Sequence, residues 1–316
     1  MIPNERSRAA AGERPDGVEL VLGGAPLGGL FAPVSDAGAD AVMAAAWEAG
    51  VRSFDTAPHY GLGLSECRMG RLLSGIPREQ FAVSTKVGRL LVPAAEFVDG
   101  TEGYYGTPPL QRVYDYSADG VRRSVESSLT RLGLDRVDQL LIHDPDRHWR
   151  PAVDEAYPEL ERMRSDGLVE RIGVGMNQVP MLQRFVAETD IDCVMIAGRY
   201  TLLDRSAEPL LELCARRGVD VIVAGVFNSG VLAAPSTGAT FDYAPAPSAV
   251  VDRARELGDI CRAHGVELPA AALRFATRNA AVRAIVVGVR SVAEMTQNAR
   301  YWHAALPDDL WGDLSA

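Results

Sequence analysis

Eight short apolar runs, each followed by at least one segment of helical spacing, divide the chain almost from end to end. The runs cover residues 18–22, 51–54, 81–84, 137–142, 171–174, 193–196, 219–223 and 282–287. They are continuous Val/Ile/Leu stretches rather than alternating ones, as expected of parallel strands covered on both faces. Helical spacing marks 36–50, 65–73, 117–133, 153–166, 179–189, 208–217, 248–264, 269–277 and 291–302, with Gly50 and Gly218 as stop signals. An open doubly wound sheet gives the same local pattern. Eight evenly spaced units in 316 residues favour the closed (β/α)8 form, a TIM barrel, as one domain over 18–316. Reactive side chains then belong at the C-terminal strand ends and on the loops that follow them.

With 47% apolar residues the chain has ample core. Its net charge of -10 disfavours a nucleic-acid footprint and leaves a small molecule as the expected partner. Residues 1–17 are polar, resemble neither a secretory signal nor a membrane anchor, and read as a flexible tail. No later stretch approaches the apolar length of a membrane span, so no membrane partner and a cytoplasmic location are expected. Cys67, Cys193, Cys214 and Cys261 form no CxxC pair and read as buried, reduced thiols.

Four polar side chains fall at or just beyond three predicted strand ends: Asp55 and Tyr60 after the second, Lys86 after the third, His143 after the fourth. Singly, each has an ordinary explanation: a turn former, a half-buried aromatic, a surface charge, a strand-end histidine. Adjacent barrel strands bring those ends to one mouth, and together the four make an acid–base device. A tyrosine with its ordinary pKa of about 10 is a poor proton acceptor at neutral pH. A lysine beside it favours the phenolate, a carboxylate holds the lysine, and an imidazole orients the substrate oxygen. No helical zinc pattern is present, and no metal is expected. Two connections, 90–116 and 227–247, exceed what a barrel needs. The first holds Tyr104, Tyr105, Tyr114 and Tyr116, and this aromatic content favours lids over linkers.

The segments FDTAPHYGLGLSECRMGRLL, STKVGR, SVESSLTRLGLDRVDQLLIHDPD and VVGVRSVAEMTQN resemble the aldo-keto reductase superfamily, over a span from about Leu20 to Trp302. The resemblance implies a nicotinamide cofactor bound without a Rossmann unit, and a catalytic tetrad of Asp55, Tyr60, Lys86 and His143, with Tyr60 as proton relay. VYDYSADGVRRSVESSLTRLG, LIHDPD, IGVGMNQ and IAGRYTLLD are similar to the branch that oxidises L-fucose-type (D-threo) aldoses to lactones, with pyridoxal 4-dehydrogenases as near relatives. A sugar hemiacetal is therefore the expected substrate. Pyridoxal or a general aldehyde is the alternative, and a non-catalytic cofactor-sensing subunit is a more distant one. The resemblance assigns Tyr60 and His143 to the substrate, and the tyrosine-rich connection 90–116 offers Tyr104 and Tyr105 as further substrate contacts. To the cofactor it assigns Gly24, Ala25, Asp55 and Asn177, the loop Phe227, Asn228, Ser229 and Gly230, and the segment Gly288, Arg290, Ser291, Glu294, Gln297 and Asn298. Ser291 is also an ordinary helix N-cap. Three positions depart from the family's pattern: Met176 for a serine, Ala197 for a glutamine and Ala224 for the aromatic that stacks on the nicotinamide. Glu294 stands where phosphate-specific members carry arginine, so NAD is expected, with NADP tolerated.

Overall fold

The computed structural model describes residues 17–315 and closes the eight strands into one parallel barrel. In order around the barrel they are Glu19–Gly23, Val282–Gly288, Asp220–Ala224, Cys193–Ala197, Arg171–Met176, Gln139–His143, Ala82–Val87 and Ser53–Asp55, which returns to the first. The (β/α)8 expectation holds. The tail expectation falls almost wholly on residues outside those described.

Side chains alternate across each strand, and this parity divides two cores. Outward residues such as Leu22, Phe54, Ile142, Val194, Val223 and Ile285 pack against the helical ring in the main core. Inward residues Val21, Leu141, Cys193, Met195, Ile222, Ala284 and Val286 form a separate cluster that fills the barrel. On the other side the interior is polar: Ser53 donates to Glu19 at 2.6 Å and Ser84 to Asp55 at 2.8 Å. Asp55, Lys86 and His143 share the inward parity of their strands and lie at or next to the C-terminal ends. They form the upper layer of that polar side.

Three expectations need correction. The connection 90–116 is no structureless loop, because Arg89–Pro93 and Leu110–Tyr114 pair as an antiparallel hairpin whose connecting segment is tied down by Phe31 N donating to Gly103 O and Tyr105 N to Gly29 O. Likewise Thr240–Phe241 and Ala244–Pro245 pair within 227–247. The helix expected over 153–166 is three consecutive pieces, with a π turn at Ala152–Ala156 between Trp149–Pro151 and Tyr157–Ser165. Pro151 and Pro158 have no N–H to give to the regular ladder, and Tyr157 N bonds five residues back to Ala152 O. Finally, Cys67 is exposed, whereas Cys193, Cys214 and Cys261 are buried; all four are free thiols. Among the described residues no helix is long and apolar enough to cross a membrane.

Candidate active site

The strand Ser53–Asp55 runs into a tight loop whose path is fixed by small residues and two buried hydroxyls. A side chain on Gly61, which has φ of 62°, would meet the carbonyl of Gly28, so the two backbones pack directly. Thr56 and Ser65 hydroxyls pair at 2.8 Å and join the loop to the helix Leu64–Leu73. That helix is tied in turn by buried Glu66, which accepts from Thr85 at 2.7 Å and from Arg131 at 2.6 Å. The result is a rigid mount for Tyr60.

Asp55 and Lys86 are buried at 2% and 1% exposure, so their charges must be paired. The Lys86 ammonium donates to both Asp55 oxygens, at 2.9 and 2.8 Å, and to Thr56 O at 3.0 Å. It stands 4.6 Å from the centre of the Tyr60 ring. The His143 ring meets Tyr60 edge to face at 5.7 Å. The geometry thus brings the four sequence-derived residues together.

The electrostatics differ from the sequence-based account in one respect. Burial, above all, pushes the Tyr60 phenol well above its ordinary value, and the Asp55 and Asp144 carboxylates push it the same way. With its donors committed to Asp55 and Thr56, Lys86 lies against the ring face, so Tyr60 is held as an O–H donor rather than a standing phenolate. Burial likewise holds His143 well below its ordinary value, helped by the positive charges of Arg89 and Lys86. His143 is therefore a neutral imidazole at pH 7. Its Nδ1 is buried without a hydrogen-bond partner among the described residues, as is that of the neighbouring His59.

These residues line a cavity of about 1040 Å³ at the C-terminal mouth of the barrel. The same cavity is lined by Gly24, Ala25, Asn177, Phe227, Asn228, Ser229, Gly230, Gly288, Arg290, Glu294, Gln297 and Asn298, and by Tyr104. Tyr105 and Ser291 do not line it. Tyr105 is 40% exposed and lies over Gly100, while Ser291 caps the helix Val292–Trp302 by accepting from Glu294 N at 3.2 Å. Glu294 completes the cap, accepting from Arg290 N at 2.8 Å, and this fixes its carboxylate at the cavity wall. Gly24 is small for a packing reason, since a Cβ there would collide with Ser65. Tyr114 and Tyr243, from the two long connections, also line the cavity, and so do His59, Arg89 and Asp144, which were not singled out from sequence. For Arg89 and Asp144 the available signal was a charge within three residues of a strand end.

The residues suit a dinucleotide. Asn228, Ser229 and Gly230 take positive φ in succession, which turns the backbone of this loop sharply at the cavity edge. Asn228 Nδ2 is anchored on Gly198 O at 3.2 Å, while its buried Oδ1 has no hydrogen-bond partner among the described residues. Among the described residues no group of three or more His, Cys, Asp or Glu is arranged to hold a metal.

A model of the Aldo/keto reductase family matches residues 19–316. The chain belongs to the aldo/keto reductase family. As a member it is an oxidoreductase, and the family's chemistry uses a nicotinamide cofactor. The chain is 44% identical to a D-threo-aldose 1-dehydrogenase of Pseudomonas sp, over all of this chain and 98% of that one. It is 40% identical to a pyridoxal 4-dehydrogenase of Microbacterium luteolum, over 93% and 92% of the two chains. Its fold is similar to that of the glycerol dehydrogenase of Gluconobacter oxydans, with a TM-score of 0.73 at 22% identity, covering 94% and 90% of the chains.

Proposed function

We propose that this aldo/keto reductase oxidises the anomeric hydroxyl of a ring-closed aldose of the D-threo type to a lactone, with NAD preferred over NADP. The observation that carries this is the meeting of Tyr60 and His143 above the Lys86–Asp55 pair, at the wall of a cavity large enough for a sugar beside a dinucleotide. Similarity to the aldose dehydrogenase over its full length supports the substrate class. In this account neutral His143 donates to the reacting oxygen and orients it. Because burial disfavours a standing phenolate, Tyr60 first releases its own proton to solvent, and the transient phenolate then takes the hydroxyl proton, so that one proton reaches water per turnover. Lys86 and Asp55 hold the floor beneath the ring. A bound oxidised nicotinamide would supply the acceptor for the hydride from the same carbon. Asn177 would bond its carboxamide and the loop 227–230 would lie over its pyrophosphate, with Phe227 offered in place of the aromatic that Ala224 lacks. The capped Glu294 carboxylate disfavours a 2'-phosphate, which supports NAD.

Pyridoxal is the second reading, favoured by the near-parallel rings of Tyr60 and Tyr104, 6.4 Å apart, and by the 40% identical relative. Replacement Tyr60→Phe should lower kcat for aldose oxidation by at least about 100-fold while leaving cofactor affinity in place. Unchanged turnover would remove Tyr60 from the chemistry, and faster turnover of pyridoxal than of any aldose would favour the second reading.

A further inference from the structure

Arg89 and Asp144 face the same cavity as Tyr60 and His143 but take no part in the proton path described above. Arg89 lies beyond Gly88 at the end of the strand that carries Lys86, and Asp144 directly follows His143. Arg89 Nη2 stands 2.6 Å from Asp144 Oδ2, with the two side chains 9% and 32% exposed. Three features mark the pair as built for a ligand. Asp144 holds a left-handed backbone, φ 41°, a conformation costly outside glycine and concentrated at functional sites. Arg89 Nε is buried and has no hydrogen-bond partner among the described residues, so a donor remains after the ion pair is made. Asp144 Oδ2 is 3.4 Å from His143 Nε2, too far for a good hydrogen bond but close enough for one oxygen atom to bond to both.

We propose that Arg89 and Asp144 bind the hydroxyl on the carbon next to the reacting one, and so select substrates that carry a 2-hydroxyl. With the reacting oxygen between Tyr60 and His143, the neighbouring hydroxyl of the same molecule falls on the Asp144 side of the imidazole. There it donates to Asp144 Oδ2 and accepts from the Arg89 guanidinium. This assignment rests on the aldose reading for the identity of the reacting carbon. A simple aldehyde would leave the hydrogen-bonding capacity that remains on this ion pair unused, which is how a polar site disfavours a substrate lacking the group it was built to bond.

The test compares kcat/KM for an aldose and its 2-deoxy counterpart in the wild type, Asp144→Asn and Arg89→Lys. Asparagine keeps the side-chain shape and tolerates the left-handed backbone. The wild type should prefer the 2-hydroxy sugar, and each variant should shrink that ratio by about 10- to 100-fold. A ratio that survives in both variants, or equal losses on both sugars, overturns the proposal. Reduction of lactaldehyde, which differs from propanal only by its 2-hydroxyl, separates the two readings. If the wild type oxidises no aldose but its preference for lactaldehyde over propanal collapses in both variants, the aldose reading fails and the pair's role stands. If aldoses are oxidised and both ratios hold, the pair's role fails alone.

Discussion

At the scale of single residues, the site combines a fully committed ammonium with two uncharged imidazoles. His59 and His143 are each held well below the ordinary histidine value, chiefly by burial. The unfolded chain therefore binds more protons than the folded one as pH falls below the unfolded value of about 6.5. Stability from these groups is complete above that pH and is lost as pH falls toward the depressed folded values. Each histidine should contribute a slope of up to about 1.4 kcal/mol per pH unit in that window. Urea denaturation of the wild type and His59→Asn between about pH 5 and 6.5 checks this: the variant should lose stability less steeply, and parallel curves would contradict the burial argument. The same residues mark how far the sequence could be read. Asp55, Lys86 and His143 were legible because polar side chains just after apolar runs mark strand ends as a pattern. The raised pKa of Tyr60 was not, because it comes first from the burial of the phenol and then from the nearby Asp55 and Asp144 carboxylates, and no linear spacing reports that.

At the scale of elements, the hairpin Arg89–Pro93/Leu110–Tyr114 is the main structural addition to the barrel. Sequence alone reads it as lacking regular structure because Gly and Pro interrupt it and its pairing partners lie about 20 residues apart, beyond the reach of a short hairpin signal. Just past it, Tyr116 is 3% exposed and donates to His143 O at 2.8 Å, so it braces the backbone of the imidazole from behind. Gly88 makes room for it: φ there is 102°, and a Cβ would lie 2.2 Å from Tyr116 Cε1. Gly88→Ala should destabilise the fold by about 3 kcal/mol, from overpacking together with backbone strain. It should also lower kcat, since Tyr116, Arg89 and His143 move together. Chemical denaturation and steady-state rates measure both effects; a stable variant of normal activity would show that the hairpin base does not set the site.

At the scale of the molecule, one half of the barrel interior is apolar and the other is a hydrogen-bonded column from Glu19 and Ser53 up to Asp55 and Lys86. That asymmetry gives the cavity one reactive wall, and the helix capped by Ser291 and Glu294 forms part of the remainder. The central claim is that this wall oxidises a cyclic hemiacetal. The most direct measurement is to incubate the purified chain with NAD and L-fucose, follow reduced cofactor and identify the sugar product by NMR. The account predicts one lactone formed per reduced NAD. No lactone with any D-threo-type aldose, alongside rapid turnover of pyridoxal, would contradict it.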